Sequence, residues 1–433
     1  MIAAMELSER DLLGELGARG LVHDSTDRDA LAARLARAPI GVYVGFDPTA
    51  DSLHVGHLLG QLTLRRFQMG GHRPFPLAGG ATGMVGDPGG RSEERNLLDR
   101  ETLEHNITCI KRQLERLLDF EPGPAQATLV DNATWTAPLG VLDFLRDVGK
   151  HMTVNQMVAK DSVRSRMEGE HGISYTEFSY MLLQANDFRW LCEHHDVELQ
   201  MGGSDQWGNI TAGIDLVRRI LGRTAHGLTW PLLTLPGGAK MGKSAGGAIW
   251  LDPDQTSPYR FRQFWVQAGD EEVEGYLLRL SLRPLDEIGA LLAEHRAAPE
   301  RRVAQRALAR ELTELVHGTE AAQAADEAAQ VLFGGGVAAV TPAAFAVVAA
   351  EVGTTIVPVE ALDDPVGLFV RAGLATSNGD ARRTMGQRGF QVNGRPVDAG
   401  AGSLRDLPLL HGRYLLLRRG KTAYRVVELG QAG

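Results

Sequence analysis

At 433 residues the chain exceeds what one hydrophobic core organises, because single cores stop growing near ~250–300 residues, so two or three domains are expected. The apolar share is ordinary and no apolar run is long enough to span a bilayer, which excludes a helical membrane protein, and the start MIAAMELSERDLL turns polar before an apolar signal core develops, so a cytoplasmic protein is expected. The net charge of −9 hides an asymmetry: eleven Arg and Lys against three Asp give the segment Arg371–Arg425 a net +8 and leave −17 elsewhere, the pattern of a basic module that meets a polyanion on an acidic body.

Residues 5–40 read as helical, opening with Ser8 and Asp11 at capping-box spacing. Strand-like and helix-like segments then alternate: Val42–Phe46, Leu53–Met69, Arg73–Ala78, Glu101–Leu118, Thr128–Val130, Leu139–Val148, Thr176–Glu193, Val197–Met201, Ile210–Leu221 and Leu228–Leu235. Such alternation predicts a parallel sheet wrapped by helices, with ligands at the carboxyl ends of the strands. Pro258–Ala329 is almost wholly helical in pattern. Phe333–Val357, with Gly334–Gly336, Thr341-Pro342 and Pro358, reads as a linker carrying one short helix. Pro365–Leu429 mixes short helices with strands such as Phe390–Val392 and Tyr414–Arg418, a small α+β module. Cys109 and Cys192 stand far apart without a CxxC partner, so no disulfide framework or cysteine-built metal site is expected, and both read as buried thiols.

Two segments carry chemistry. Val42-Tyr43-Val44-Gly45-Phe46-Asp47-Pro48-Thr49 alternates like a strand, and Ala50-Asp51-Ser52-Leu53-His54-Val55-Gly56-His57 opens a helix that Asp51 or Ser52 can cap. His54 and His57 therefore lie in the first turns, where free amides and the positive dipole end suit a phosphate. Gly56 costs the helix ~1 kcal/mol relative to Ala, so a close approach to the backbone is expected there, such as that of a purine ring. Two satisfied surface histidines are the bland alternative, and a zinc site lacks a third ligand.

The second segment is Gly237-Gly238-Ala239-Lys240-Met241-Gly242-Lys243-Ser244-Ala245-Gly246-Gly247. As a string, Gly237 to Ser244 fits the phosphate-binding GxxxxGK[ST] loop of an NTPase, but that loop requires a helix starting at its lysine. Here more glycines, a strand-like Ala248–Leu251 and Pro253 follow. Two lysines three apart in a glycine-flanked loop instead suggest a lid that brings ammonium charges onto a polyphosphate.

Together the segments resemble the HIGH and KMSKS signatures of class I aminoacyl-tRNA synthetases, here His54-Val55-Gly56-His57 and Lys240-Met241-Gly242-Lys243-Ser244, each departing by one residue. YVGFDPTADSLHVGH, GGATGMVGDPGGR, FLRDVGKH, SYTEFSYMLLQANDF and MGGSDQWGNITAG extend the resemblance to the bacterial tyrosyl branch across almost the whole chain. One departure is Val44, where many of these relatives carry a cysteine. The resemblance implies a Rossmann-like parallel-sheet catalytic domain at 1–228 with an inserted dimerisation region, a lid and α-helical tRNA-binding domain at 229–330, a linker at 331–358 and an S4-like RNA-binding domain at 359–433.

In Ser179–Phe188, Tyr180, Gln184 and Asp187 recur at steps of four and three, which sets them on one helical face. By the resemblance, Tyr43 and Asp187 bind a substrate phenol, and Asp87, Tyr180 and Gln184 bind its ammonium group, with Gln206 beside them. Gly45, Asp47, Pro48, Gly56, Gly203, Asp205 and Lys243 are implied for ATP. Thr49, His54, His57, Arg91, Arg95, Lys240, Lys243 and Ser244 are the implied catalytic set. Arg382, Arg383 and Arg388, near the Asn393-Gly394 hairpin turn, are implied RNA contacts. No protein-held metal is expected; magnesium is implied on the ATP phosphates, and the implied partners are tyrosine, ATP, tRNA(Tyr) and a second copy of the chain. The rivals are a tryptophanyl enzyme, a silent RNA-binding relative and an unrelated NTPase.

Overall fold

A computed structural model of the chain describes residues 11–87, 98–169, 172–234, 241, 247–337, 339–398, 400 and 402–430. They form two compact units, one drawn from Met1–Thr256 and Phe264–Val316, the other from Ser257–Gln263 and His317–Gly433.

The first unit is built on five strands: β1 Gly41–Phe46, β2 Arg73–Ala78, β3 Val130–Asp131, β4 Val197–Gly203 and β5 His226–Trp230, all parallel, in the order β3-β2-β1-β4-β5. Their apolar runs suit a sheet covered on both faces, and every residue of β5 is buried. The chain runs outward from β1 in one direction and returns to β4 on its other side, so the order reverses between β1 and β4. That reversal opens a crevice at the strands' carboxyl ends, where this fold holds its ligands.

Connecting helices supply the core. Val55–Met69 buries Leu58, Leu59, Leu62 and Phe67 against the sheet, each such side chain contributing roughly 1.5–3 kcal/mol. Tyr175–His195 starts at Ser174, whose hydroxyl accepts from the Glu177 amide at 3.2 Å, and stops at Asp196 in the left-handed region with φ 53°. Its Phe188, Leu191 and Cys192 pack with Tyr43, Phe75 and Val197. Cys192 is the buried thiol expected; Cys109 is only half-buried, its Sγ 3.6 Å from the His105 imidazole.

The N-terminal stretch differs from the single helical run expected. Two helices, Leu12–Ala18 and Arg28–Arg37, are capped by Asp11 and Asp27. Between them the chain pairs with β5: His23 and Thr26 amides donate to Thr229 and Gly227 carbonyls at 2.7 and 3.0 Å. Covering that exposed strand edge is the physical reason for the break. Arg19 and Arg66, both buried, donate to carbonyls at the end of the helix Val273–Leu280, sharing that of Ser281. Burial, with Arg19 beside it, lowers the Arg66 guanidinium to about 9.

The second unit holds β6 Thr354–Pro358, β7 Phe390–Val392, β8 Arg395–Pro396, β9 Tyr414–Arg419 and β10 Ala423–Gly430, in the order β6-β10-β9-β7-β8. Alternation decides its two faces. Leu415, Leu417 and Val427 pack toward Leu368, Phe369 and Met385, while Leu416 and Val426 pack toward Ala328, Phe345 and Val348. The stretch 331–358, expected as a linker carrying one short helix, holds the helix Pro342–Val352 and departs from the expectation in the strand β6, which runs parallel to β10. The helical region also divides earlier than the expected 330, since Thr319–Leu332 packs on this second sheet through Ala328 and Val331. Asn393 and Gly394, with φ 49° and 78°, turn the β7–β8 hairpin as their residue types predict. Among the described residues no helix is long and apolar enough to cross a membrane.

Candidate active site

A cavity of about 240 Å³ opens at the carboxyl ends of β1, β2, β4 and β5. Of the residues singled out from the sequence, it brings together Tyr43, Gly45, Asp47, Thr49, Gly56, His57, Asp87, Tyr180, Gln184, Asp187, Gly203, Asp205 and Gln206. Pro48 and His54 are not among its lining residues. Arg91, Arg95, Lys240, Lys243 and Ser244 lie outside the described residues.

At the closed end Asp187 is 2% exposed and accepts two hydrogen bonds, from Asn132 Nδ2 at 2.9 Å and Trp135 Nε1 at 2.8 Å. Burial pushes its carboxyl up to about 7, against the opposing pull of those two donors. Tyr43 on β1 has its ring 5.5 Å from that of Phe188. Burial, then the neighbouring Asp187, raises its phenol well above the ordinary value. Its hydroxyl is buried and finds no hydrogen-bond partner among the described residues. An unmet buried hydroxyl costs about 1–3 kcal/mol, so the pocket is shaped to be completed by a polar group.

A second polar cluster lies along the same wall. Gln206 Nε2 donates to Asp87 at 2.7 Å, while its Oε1 accepts from Asn209 at 3.1 Å and Gln184 at 3.4 Å. Gln184 Oε1 is buried without a hydrogen-bond partner among the described residues. Tyr180 donates to Asp47 Oδ2 at 2.9 Å, and Thr82 donates to Asp47 Oδ1 at 2.9 Å. Asn132 also donates to Thr82 Oγ1, at 3.1 Å. A hydrogen-bonded chain therefore runs from Tyr180 through Asp47, Thr82 and Asn132 to Asp187. This wall presents carboxylates and amide oxygens to a cation.

At the other end the histidines close their own helix terminus, correcting the expectation that Asp51 or Ser52 caps it. His54 Nδ1 accepts from the Gly56 amide at 3.0 Å, and His57 Nδ1 accepts from the His54 amide at 3.1 Å. With both Nδ1 atoms accepting, a neutral ring carries its proton on Nε2 and keeps it as a donor. The demand for Gly56 has a nearer cause than a purine ring: a Cβ there would lie 2.8 Å from both the Met241 carbonyl oxygen and the His54 ring. Val44, 4% exposed, fills its place as a plain apolar residue.

Thr82, Asn132 and Trp135 escaped the sequence reading, as did Trp230 and Leu232 on the cavity wall. The available signal was position, since Asn132 and Trp135 follow directly on β3 at its carboxyl end. Among the described residues no group of three His, Cys, Asp or Glu is arranged to hold a metal. The three arginines expected at RNA are all exposed in the second unit: Arg383 pairs with Asp380 at 2.9 Å, Arg388 with Asp398 at 3.3 Å, and Arg382 directly precedes Arg383 in the chain.

Residues 35–334, which hold the reversing parallel sheet and the histidine-tipped helix after its first strand, match the family model described as tRNA synthetases class I (W and Y), so this is a class I synthetase domain. Residues 349–427 match a second model, the tyrosine–tRNA ligase C-terminal domain. The chain is 52% identical to the tyrosine–tRNA ligase of Opitutus terrae over 96% of its length and 99% of that protein, and 49% identical to that of Roseiflexus castenholzii with the same coverage. A truncated mitochondrial tyrosyl-tRNA synthetase of Aspergillus nidulans superposes with a TM-score of 0.69 at 34% identity, over 75% of this chain and 95% of that one. This chain belongs to the tyrosine–tRNA ligase family. A tryptophanyl-tRNA synthetase of Encephalitozoon cuniculi, at 15% identity and a TM-score of 0.54, shares the fold alone.

Proposed function

We propose that this chain activates L-tyrosine with ATP, giving tyrosyl-adenylate and pyrophosphate, and then transfers tyrosine to the 3′-terminal adenosine of tRNA(Tyr). The observation that carries the reading is the orphaned Tyr43 hydroxyl beside the buried Asp187 carboxylate. A substrate phenol donates to Asp187 and accepts from Tyr43, meeting both groups at once. Phenylalanine would leave the Tyr43 hydroxyl unmet, at about 1–3 kcal/mol, and would bring Asp187 no donor beyond Asn132 and Trp135, so it is rejected at binding. Tryptophan offers an N–H but no acceptor for Tyr43. Asp87, Tyr180 and Gln184 form the polar wall for the substrate ammonium.

The attacking carboxylate of tyrosine is ionised at neutral pH, so in-line attack on the α-phosphate requires no general base. The protein's work is to align the reactants and to neutralise charge on the departing pyrophosphate. His57 and Thr49 on the cavity wall supply donors toward the phosphates, with His54 holding the helix terminus. Lys240, Lys243, Ser244, Arg91 and Arg95 are proposed to complete that charge, with Lys243→Ala lowering the activation rate on the order of 10²–10³-fold. Gly45, Asp47, Gly56, Gly203 and Asp205 would line the nucleoside. Magnesium would ride on the ATP phosphates, as it usually does when a nucleotide is the substrate.

The reading is tested by tyrosine-dependent ATP–pyrophosphate exchange without tRNA, with tryptophan and phenylalanine as parallel substrates. Exchange with tyrosine alone is expected. Exchange with tryptophan, or with none of the three, defeats it. A homodimer is also proposed, supported by the exposed apolar side chains Val141, Leu142, Leu145 and Val154 in the segment before the Tyr175–His195 helix.

A further inference from the structure

Asp187, Trp190 and His194 recur at steps of three and four along the helix Tyr175–His195, so they share one of its faces. Asp187 stands at the closed end of the cavity, Trp190 is half-buried, and His194 is exposed. Trp135, on the short helix Ala133–Thr136 that follows β3, meets this face twice. Its Nε1 donates to Asp187 Oδ1 at 2.8 Å, and its ring lies flat against that of Trp190.

The centroids of the two indoles are 4.1 Å apart and their planes differ by 12°. The His194 imidazole stacks on Trp190 as well, at 4.3 Å and 15°. Two rings this close and this parallel to one indole cannot share a face of it, so Trp190 is sandwiched between Trp135 and His194. His194 is itself tied down: its Nδ1 lies 2.9 Å from the Trp190 carbonyl oxygen, which only accepts, so Nδ1 carries the proton and donates it. His195 meets the Trp190 ring at a tilt, at 5.4 Å, and packs on Phe75 at 5.3 Å.

An indole N–H points within the plane of its ring, so its aim depends on the torsion that turns the ring. That torsion is broad for aromatic side chains and defines no single plane by itself. Packing must define it. The Trp135 plane follows that of Trp190, and a turn of the ring that broke the stack would swing Nε1 out of line with Asp187, where a hydrogen bond weakens steeply.

We propose that Trp190 is a positioning residue for the tyrosine site: braced by His194, it holds Trp135 in the plane from which Nε1 donates to the Asp187 carboxylate. Trp190 does not line the cavity and acts only through Trp135. The inference rests on the proposed role of Asp187 as acceptor of the substrate phenol.

Tyrosine-dependent pyrophosphate exchange on the full-length enzyme tests it, with tyrosine KM, ATP KM and kcat measured separately. Trp190→Leu removes the flat face and should raise the tyrosine KM about tenfold, the loss expected of one misaligned bond to a charged group, with ATP KM and kcat near wild type. Trp190→Phe keeps a flat face and should stay within about threefold of wild type. Trp135→Phe removes the donor itself, so adding Trp190→Leu to it should raise the tyrosine KM no further. His194→Ala takes only an exposed ring from the stack; it should raise the tyrosine KM about threefold, and it decides the matter if Trp190→Leu does not fold. The proposal is overturned if His194→Ala, and Trp190→Leu where it folds, leave the tyrosine KM unchanged. It is equally overturned if tyrosine and ATP KM rise together, or if the effects of Trp190→Leu and Trp135→Phe add in full. Absence of tyrosine-dependent exchange in the wild type would instead defeat the proposed function, and with it the role of Asp187 on which this inference rests.

Discussion

Asn132 Nδ2 donates to the Asp187 carboxylate at 2.9 Å from the end of a neighbouring strand, so β3 adjusts the ionisation of a group carried on a different element. Burial pushes Asp187 up to about 7, and the Asn132 bond works in the opposite sense. A substrate phenol must donate to the ionised carboxylate. Tyrosine affinity is therefore expected to rise as pH passes upward through about 7 and to level off above it. Asn132→Ala removes a bond that favours the ionised form, so the midpoint should move to higher pH. The pH profile of kcat/KM for tyrosine in exchange checks this, and an unmoved midpoint would mean that Asn132 does not poise Asp187.

The same carboxyl gives folding stability a pH dependence. Its unfolded value is near ~3.9 and its folded value is raised to about 7, so the folded state favours the protonated form. The penalty is absent below about pH 4, accumulates between about 4 and 7, and is full above that, with an upper bound of ~4 kcal/mol. Asp187→Asn carries no such titration. Relative to wild type, the variant should therefore gain stability between pH 5 and pH 8, while losing tyrosine-dependent exchange. Urea unfolding of both proteins at the two pH values measures the difference; a constant difference would show that Asp187 is ionised across the whole range.

Much of this site was legible in the sequence because it follows local periodicity. Tyr180, Gln184 and Asp187 recur at helical spacing and do line one cavity, and β2 runs from Arg73 to Ala78 as its apolar run predicts. Asn132, Trp135 and Thr82 were not legible, since each acts by reaching across the sheet to Asp187 or Asp47, a relation that no spacing encodes. The mutual capping of His54 and His57 was missed because histidine is a rare cap beside better candidates at Asp51 and Ser52. The helix Pro342–Val352 was legible as the one short helix of that stretch, but β6 was hidden by the flanking Gly353 and Pro358, and only its pairing with β10 identifies it as sheet.

Gly56 separates two interpretations of the signature loop. A Cβ at this position would stand 2.8 Å from the Met241 carbonyl oxygen, a backbone atom that cannot swing aside as a side chain would. Gly56→Ala should therefore displace the segment that precedes Lys243 and lower the exchange rate by ~10²-fold, with the tyrosine KM near its wild-type value and the ATP KM raised. An equal rise in both KM values would point to general loss of the cavity.

The exposed arginines of the second unit make a prediction in a different observable. Arg382 and Arg388 stand on the surface, and Arg388 pairs with the exposed Asp398, a pair that contributes little to folding. Arg382→Ala and Arg388→Ala should each weaken tRNA binding and lower its salt slope by about one, leaving the melting temperature and pyrophosphate exchange unchanged. A variant that weakens binding without changing the slope would have lost something other than a phosphate contact.

Leu142 and Val141 are 81% and 74% exposed on the helix Val141–Asp147, and Val154 is 62% exposed on the next helix. Three large aliphatic side chains so close in sequence are costly in water, and a self-complementary face would remove them from it. Leu142→Glu sets a carboxylate in that face, and in a two-fold interface it does so twice, with each charge desolvated and unpaired. The variant should sediment as a monomer at concentrations where the wild type is a dimer. Its melting temperature should fall only by the amount that dissociation accounts for, because Leu142 contributes little to the core of its own chain. If Leu142→Glu stays dimeric, the interface lies on another surface; if the wild type is itself monomeric, the exposed face is not covered by a second copy of this chain.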